Sequence, residues 1–174
     1  MDRAVATGEA GDLRQAIRIL TDLLPDQIDA LGVDHPLVLT TRNLIATWTD
    51  GVGDAVGSLR LFNELLPDLA RVFGEDHPGV SITRNFVAAR TDELGDPAEA
   101  LRLFTALLPA QARVSGPCHP GVLTTRHRIA VLTARTGDPA TARLQLVRLL
   151  SDQERLLGAE HPAAAATRGA LLQL

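Results

Sequence analysis

Hydrophobic positions along the chain fall into stripes with the spacing of an amphipathic helix. One stripe consists of Leu59, Phe62, Leu65, Leu66 and Leu69. A second stripe, displaced by 42 residues, consists of Leu101, Phe104, Leu107 and Leu108. Side chains three or four residues apart lie on the same face of a helix, so each stripe predicts a helix with one buried face.

The same interval of 42 residues separates several short motifs. His-Pro dipeptides begin at His35, His77, His119 and His161. Gly-Asp pairs begin at Gly11, Gly53, Gly95 and Gly137, and Thr-Arg pairs begin at Thr41, Thr83, Thr125 and Thr167. A fixed period of this length is typical of repeat proteins. We therefore expect one all-α solenoid domain over residues 1–174, with units at roughly 1–34, 35–76, 77–118 and 119–160 and a partial unit at 161–174.

Each repeat is predicted to contain two helices, A and B. Helix A begins at the proline of His-Pro, because a backbone N–H at the first helical position would have no acceptor within the helix, and proline lacks that N–H. Helix B begins after the Gly-Asp turn, where glycine ends helix A and aspartate caps helix B. The A helices are expected near 36–50, 78–93, 120–135 and 162–172, and residues 1–10 as the last part of another. The B helices are expected to end near Leu31, Phe73, Val114 and Leu156.

Small residues recur at one position of each helix. They are Ala46, Ala88 and Ala130 on the A helices and Ala16, Ser58, Ala100 and Ala142 on the B helices. Small side chains allow two antiparallel helices to approach closely, and a larger residue overpacks such a contact. We therefore expect the two columns to face each other within each repeat.

Three B helices contain an internal proline, at Pro25, Pro67 and Pro109. Proline removes a helical hydrogen bond and clashes with the preceding turn. We expect these helices to kink or break there, and the fourth, which has Ser151 at this position, to run straighter.

Composition excludes several classes of partner. The formal charge is −4, lysine is absent and aromatic residues make up 3% of the chain, so no nucleic-acid partner is expected. The apolar runs are too short to span a membrane, and the N-terminus has no apolar signal segment. With a single cysteine, Cys118, the chain can form no internal disulfide, and a cytoplasmic location is expected.

Several residues could in principle bind a metal ion or an anion or act as a nucleophile, but a structural role explains each of them more simply. Equivalent histidines in stacked helices lie roughly 8–10 Å or more apart, too far to share a metal ion, so we expect each to bond to the backbone at the start of helix A. Cys118 precedes His119 but occupies a loop position that carries Asp or Glu in other repeats, which favours a surface thiol over a nucleophile. The Thr-Arg arginines are expected to pair with carboxylates of their own or the next repeat, although anion binding is an alternative. Trp48 is either packed or partly exposed.

The motifs together resemble one repeat family. Residues 31–36 read Leu-Gly-Val-Asp-His-Pro, and residues 39–46 read Leu-Thr-Thr-Arg-Asn-Leu-Ile-Ala. This pattern resembles the 42-residue, kinesin-light-chain-like form of the tetratricopeptide repeat (TPR), which is found in bacterial multidomain regulators. The resemblance implies a right-handed α-α superhelix whose A helices line a concave groove for a peptide segment. The nucleotide-hydrolysing module of many such regulators is absent, because no phosphate-binding loop motif occurs.

The resemblance also implies which residues line the groove. They are Asn43, Leu44, Thr47, Ile82, Asn85, Phe86, Ala89, His127, Arg128 and Val131, together with Thr40 and Thr124. Phe86 is the expected apolar anchor, and Arg128 is expected to meet a carboxylate. The chain departs from the family at its second asparagine, which is replaced by Leu44, Phe86 and Arg128, and at its groove tyrosine, which is replaced by Thr49, Thr91 and Thr133.

The sequence therefore predicts a non-enzymatic protein–protein interaction scaffold without a cofactor. We expect it to dock a peptide or partner domain on the concave face, as part of a larger regulatory or signalling protein of which this chain is a fragment. One alternative is self-association through the terminal helices, because the tail Leu171, Leu172, Gln173 and Leu174 is not polar and the last helix A lacks its helix B. Another is a sensor in which a bound ligand controls an attached domain.

Overall fold

The computed structural model describes residues 1–174 and contains nine α-helices and no strand. The A helices are α3 (Pro36–Gly51), α5 (Pro78–Glu93), α7 (Pro120–Arg135) and α9 (Pro162–Leu172), and the short helix α1 (Asp2–Glu9) aligns with the second half of an A helix. The B helices are α2 (Leu13–Leu31), α4 (Ala55–Phe73), α6 (Pro97–Ser115) and α8 (Pro139–Leu157). The all-α prediction is confirmed, and the predicted helix ends agree to within one residue.

The chain forms two compact units, Met1–Thr83 and Arg84–Leu174. In the first unit, α2 packs against α1 and α3, and α3 packs against α4. In the second, α7 packs against α6 and α8, and α8 packs against α9. Each unit is thus a series of helices in which sequence neighbours are also packing neighbours. The assignment of residues 1–174 to a single domain stays a prediction.

Side chains in the loops cap both kinds of helix. The Nδ1 atoms of His35, His77, His119 and His161 accept a hydrogen bond from the backbone N–H two residues later, at 3.1–3.2 Å. The carboxylates of Asp12, Asp54, Asp96 and Asp138 accept from the N–H three residues later, at 2.8–3.0 Å. Both sets of bonds satisfy backbone donors that the first helical turn leaves free. The structural role predicted for the histidines is confirmed.

The small-residue columns are buried within the helix pairs. Every member is fully buried, at 0% exposure. The only polar member, Ser58, donates a hydrogen bond from its hydroxyl to the carbonyl oxygen of Ala46 on the facing helix at 3.0 Å. Larger apolar residues fill the space around these columns, such as Phe104, which packs with Ile129 and Leu132. The predicted facing is observed for Ala46 with Ser58, and Ala88 and Ala100 belong to one buried cluster.

Trp48 is half-buried and packs against a cluster that contains Ala4, Leu20 and Ile45. A β-carbon placed on Gly8 of α1 would lie 2.8 Å from the Trp48 ring. The absence of a side chain at Gly8 therefore allows the indole to lie against α1.

The internal prolines do not interrupt their helices. The helices α2, α4 and α6 continue through Pro25, Pro67 and Pro109, so the predicted break is wrong. All three prolines are exposed, and so are the residues four positions earlier, Thr21, Asn63 and Thr105, whose carbonyl oxygens lose their helical donor. Water can bond to these carbonyls, and the buried face of each helix stays packed. A bend at the prolines stays a prediction.

Candidate functional site

The residues predicted to line a groove form one stripe along each A helix. On α5 they are spaced as Ile82, Asn85, Phe86 and Ala89, which places them on one helix face. The equivalent stripe on α3 runs from Thr40 to Thr47, and that on α7 from Thr124 to Val131. Every residue of the three stripes is exposed or half-buried. The A helices thus leave this face accessible to solvent, while the opposite face carries the buried alanine column.

In the first unit, the stripe combines apolar and polar groups. Ile82 is 69% exposed, which is unusual for a large aliphatic side chain. Leu44 is half-buried and packs against the cluster of Ala4, Leu20 and Ile45. The Thr47 hydroxyl donates to the backbone oxygen of Asn43 at 2.9 Å, whereas the side-chain amide of Asn43 has no hydrogen bond within the protein. That amide keeps its full capacity to donate and accept.

In the second unit, Asn85 takes part in a polar contact between two A helices. The hydroxyl of Thr125 on α7 donates to Oε1 of Gln111 on α6 at 2.8 Å and lies 3.4 Å from Oδ1 of Asn85 on α5. Thr125 and Gln111 are buried, at 1% and 8% exposure. This contact connects α5, α6 and α7 through side chains, so Asn85 helps to hold neighbouring helices together.

His127 makes the corresponding contact one repeat later. Its Nδ1 lies 3.1 Å from the hydroxyl oxygen of Thr167 on α9, and that hydroxyl donates to the Ala163 carbonyl at 3.0 Å. Burial lowers the pKa of His127, and the neighbouring Arg128 lowers it further. His127 is therefore neutral at neutral pH.

Two arginines lie over aromatic rings on this side of the second unit. The guanidinium carbon of Arg90 is 5.1 Å from the centre of the Phe86 ring. That of Arg128 is 5.7 Å from the centre of the Phe104 ring, which belongs to the buried core. Cation–π contact at these distances holds a guanidinium in place without neutralising its charge. Arg128 is exposed and forms no hydrogen bond or ion pair within the protein.

Val131 lines a pocket of about 300 Å³. Its other walls come from α7, α8 and the C-terminal residues, namely Ala134, Arg135, Leu146, Ala170, Gln173 and Leu174. The lining residue Arg135 forms an ion pair with Asp92 at 2.6 Å. The pocket is mainly aliphatic, with one cation at its edge, and suits an apolar side chain beside an acceptor group.

Three arginines of the Thr-Arg column form ion pairs, two of them within their own repeat as predicted. Arg42 pairs with Asp68 at 2.6 Å, Arg126 with Asp152 at 2.8 Å and Arg168 with Glu154 at 3.4 Å. The arginine bonds lower the pKa of Asp68 and of Asp152. Each pair connects an A helix to a B helix of its own or the preceding repeat.

One set of buried residues escaped the sequence analysis. Gln27, Gln111 and Gln153 are 8%, 8% and 2% exposed and lie on the buried faces of α2, α6 and α8. The residues are 84 and 42 positions apart, so the repeat period could have revealed them. Oε1 of Gln27 and of Gln153 has no hydrogen-bond partner in the protein.

Groups with catalytic or metal-binding potential do not come together in the fold. Cys118 is exposed in the loop before α7, where the Nδ1 atom of the adjacent His119 bonds to the Gly121 N–H. No three His, Cys, Asp or Glu side chains lie close enough together to hold a metal ion. None of the nine helices has both the length and the apolar character that a membrane span requires.

Comparison with known proteins confirms the resemblance to tetratricopeptide repeats. Residues 122–163 match the family model described as tetratricopeptide repeat, and no curated protein matches the chain. Two solved structures of a kinesin-light-chain-type protein from Podosopora anserina, with nearly identical TPR-like repeats, are similar to it. Both are 22% identical, and they superpose with TM-scores of 0.80 and 0.79 over 99% of this chain and 81% and 82% of theirs.

A third similar structure is BtubC (BKLC) from P. vanneervenii. It is 20% identical, with a TM-score of 0.77 over 97% of this chain and 67% of its own. The chain thus has the fold of a kinesin-light-chain-like TPR array, as the sequence motifs predicted.

Proposed function

We propose that the chain is a protein–protein interaction scaffold that docks a peptide segment or partner domain on the exposed stripes of its A helices. The observation that carries this proposal is Ile82, a large aliphatic side chain that is 69% exposed in the middle of a predicted binding stripe. An isolated apolar residue at a surface is ordinary, but Ile82 continues into Phe86 and Ala89 on the same helix face. Solenoid proteins of this class use such extended surfaces for binding.

Polar groups on the same stripes supply the means to orient a peptide. The amide of Asn43 is free of intramolecular bonds and can both donate to and accept from a peptide backbone. The exposed guanidinium of Arg128 can bind a carboxylate with two parallel hydrogen bonds. An apolar anchor with a few well-placed polar groups is the usual composition of a specific binding site. We therefore infer a ligand that carries an aliphatic residue and a carboxylate.

A displayed library of random peptides tests this proposal with a defined probe. Peptides selected on the wild-type chain are expected to contain an aliphatic and an acidic residue. Binding should fall about tenfold or more in Ile82→Asp and in Arg128→Ala, because central anchors dominate binding energy. The exposed residue Arg60 on the outer face of α4 provides the matched control, and Arg60→Ala should leave binding unchanged. Selected peptides that bind all three variants equally would contradict the proposal.

The wider context belongs to the same proposal. A binding scaffold requires no catalytic group or cofactor, and an exposed thiol at Cys118 is compatible with the cytoplasm. We place the array within a larger regulatory or signalling protein, whose other parts the docked segment would bring together.

Self-association through the terminal helices is a second candidate function. It is favoured by Leu172, which is 89% exposed near the end of α9. Leu172→Gln should then reduce the mass of the protein in solution at high concentration. An unchanged mass would remove this candidate and leave peptide docking unaffected.

A further inference from the structure

The outer face of α8 differs in character from that of the other B helices. Leu144 is 62% exposed, and the equivalent positions carry the exposed arginines Arg18, Arg60 and Arg102. Val147 is 53% exposed, and the equivalent positions carry the exposed polar residues Thr21, Asn63 and Thr105. The repeat therefore accepts polar residues at both positions, and folding does not require the apolar pair of α8.

Two arginines without partners flank this apolar pair. Arg143 and Arg148 are exposed, and neither forms an ion pair or a side-chain hydrogen bond within the protein. Their equivalents in the other B helices are not basic: Ile17, Leu59 and Leu101 for the first, and Asp22, Glu64 and Ala106 for the second. The surface of α8 thus combines an aliphatic centre with positive edges, in a chain whose formal charge is −4. A surface of this kind attracts an acidic partner.

Helix α2 carries the complementary charges. Asp22, Asp26 and Asp29 follow the i, i+4, i+7 spacing that places them on one edge of the helix, and all three are exposed. None of the three has an ion pair or a side-chain hydrogen bond within the protein. By contrast, the equivalents of Asp26 in later repeats, Asp68 and Asp152, are each paired with two arginines.

We propose that the outer face of α8 binds the acidic edge of α2 in a second copy of this chain. The carboxylates lie in the second half of α2 and the unpaired arginines in the first half of α8, so the two helices cross in antiparallel directions. A parallel, in-register arrangement would instead place Arg14 and Arg18 of α2 near the basic half of α8, where like charges repel. The interface covers Leu144 and Val147 and leaves the stripes of the A helices accessible.

The mass of the wild-type chain in solution gives the first test. In sedimentation equilibrium the mass should rise from that of one chain as the concentration increases from micromolar to millimolar. Salt should weaken the association, because the charges at its edge are exposed. The variant Leu144→Gln/Val147→Thr makes both positions polar without adding a charge, and threonine is the residue that α2 and α6 carry at the second position, so the variant should fold normally while it associates about tenfold to thirtyfold more weakly. Arg60→Ala, on the exposed face of α4, is the control and should leave the association unchanged.

A charge exchange gives the second test. The variants Arg143→Glu/Arg148→Glu and Asp22→Arg/Asp29→Arg should each be monomeric alone, because each presents like charges to its own copies. A mixture of the two should associate, since opposite charges then face each other at both kinds of contact. A wild-type chain that stays monomeric at every concentration and salt level would overturn the proposal, and so would a mixture that fails to associate.

Discussion

Arg42 on α3 and Asp68 on α4 form an ion pair that connects the two helices of one repeat. The Arg42 Nη1 and Asp68 Oδ2 atoms are 2.6 Å apart, and the two side chains are 21% and 26% exposed. Arg42 also donates to the Glu64 carbonyl at 3.2 Å. Asp68 also accepts a hydrogen bond from Arg71, which lies three residues later on α4, at 2.9 Å. The pair is thus shielded from water and held by further hydrogen bonds, which favours a measurable contribution to stability.

The magnitude follows from this partial burial. Exposed ion pairs contribute about 0.2–1 kcal/mol, whereas loss of one partner of a fully buried pair costs about 3–5 kcal/mol. With about three quarters of each side chain shielded, we expect a coupling free energy of about 1–2 kcal/mol between Arg42 and Asp68. In a chain of this size, loss of this coupling free energy should lower the melting temperature by about 2–8 °C.

The pH dependence has a defined sign. The hydrogen bond from Arg42, followed by that from Arg71, lowers the pKa of Asp68 below its ordinary value. Because the pKa of Asp68 is depressed in the folded state, the stabilisation that the pair provides is complete above the pKa of the unfolded chain, about 3.9. It is lost as the pH falls through the lower pKa of the folded state. Wild type and Asp68→Asn should therefore differ in free energy of unfolding at neutral pH and converge in acid.

A double-mutant cycle measures this coupling. Urea unfolding of the wild type, Arg42→Met, Asp68→Asn and the double variant, followed by circular dichroism, gives the interaction free energy. The control is Arg60 with Glu64 on α4, an i, i+4 pair whose side chains are 66% and 54% exposed, for which we expect about 0.3–0.5 kcal/mol. A coupling no larger than that of the control, or one that persists in acid, would refute the reasoning.

Three further outcomes follow from the repeat geometry. Ala130→Leu, at a fully buried helix contact, should destabilise the chain by about 1–3 kcal/mol in urea unfolding, whereas Ala165→Leu on the exposed face of α9 should have little effect. His119→Ala should cost about 0.5–2 kcal/mol through the lost cap, and His119→Asn should recover most of it in thermal unfolding. Gly137→Ala, at φ +103°, should destabilise by about 1 kcal/mol, whereas Gly169→Ala, inside α9 with open space around it, should stabilise by about 0.4–1 kcal/mol.

The helices could be predicted because their ends depend on local chemistry. Proline after His119 starts α7, and a glycine with positive φ at Gly137 ends the following turn, so single residues determine the boundaries. The predicted break at the internal prolines was wrong for a reason that is not local. Whether Pro67 breaks a helix depends on where the freed carbonyl lies, and the residue that carries it, Asn63, is exposed in the folded repeat.

The contacts of the A-helix stripes could not be predicted, because they join residues 40 positions apart. Asn85 meets Thr125 and His127 meets Thr167 across neighbouring A helices. Periodicity identifies the face on which Asn85 lies but not the bonds that its amide makes. Only the folded structure distinguishes Asn43, whose amide is free, from Asn85, whose amide is engaged.

The most direct measurement of the binding face is the shift of backbone amide resonances when a peptide selected on the wild-type chain is added. The largest shifts are expected at the A-helix stripes, at residues such as Asn43, Ile82, Phe86 and Val131. Resonances of the outer B-helix faces, such as those of Arg60 and Leu144, should not move. Shifts confined to the B helices would contradict the assignment of the binding face to the A helices.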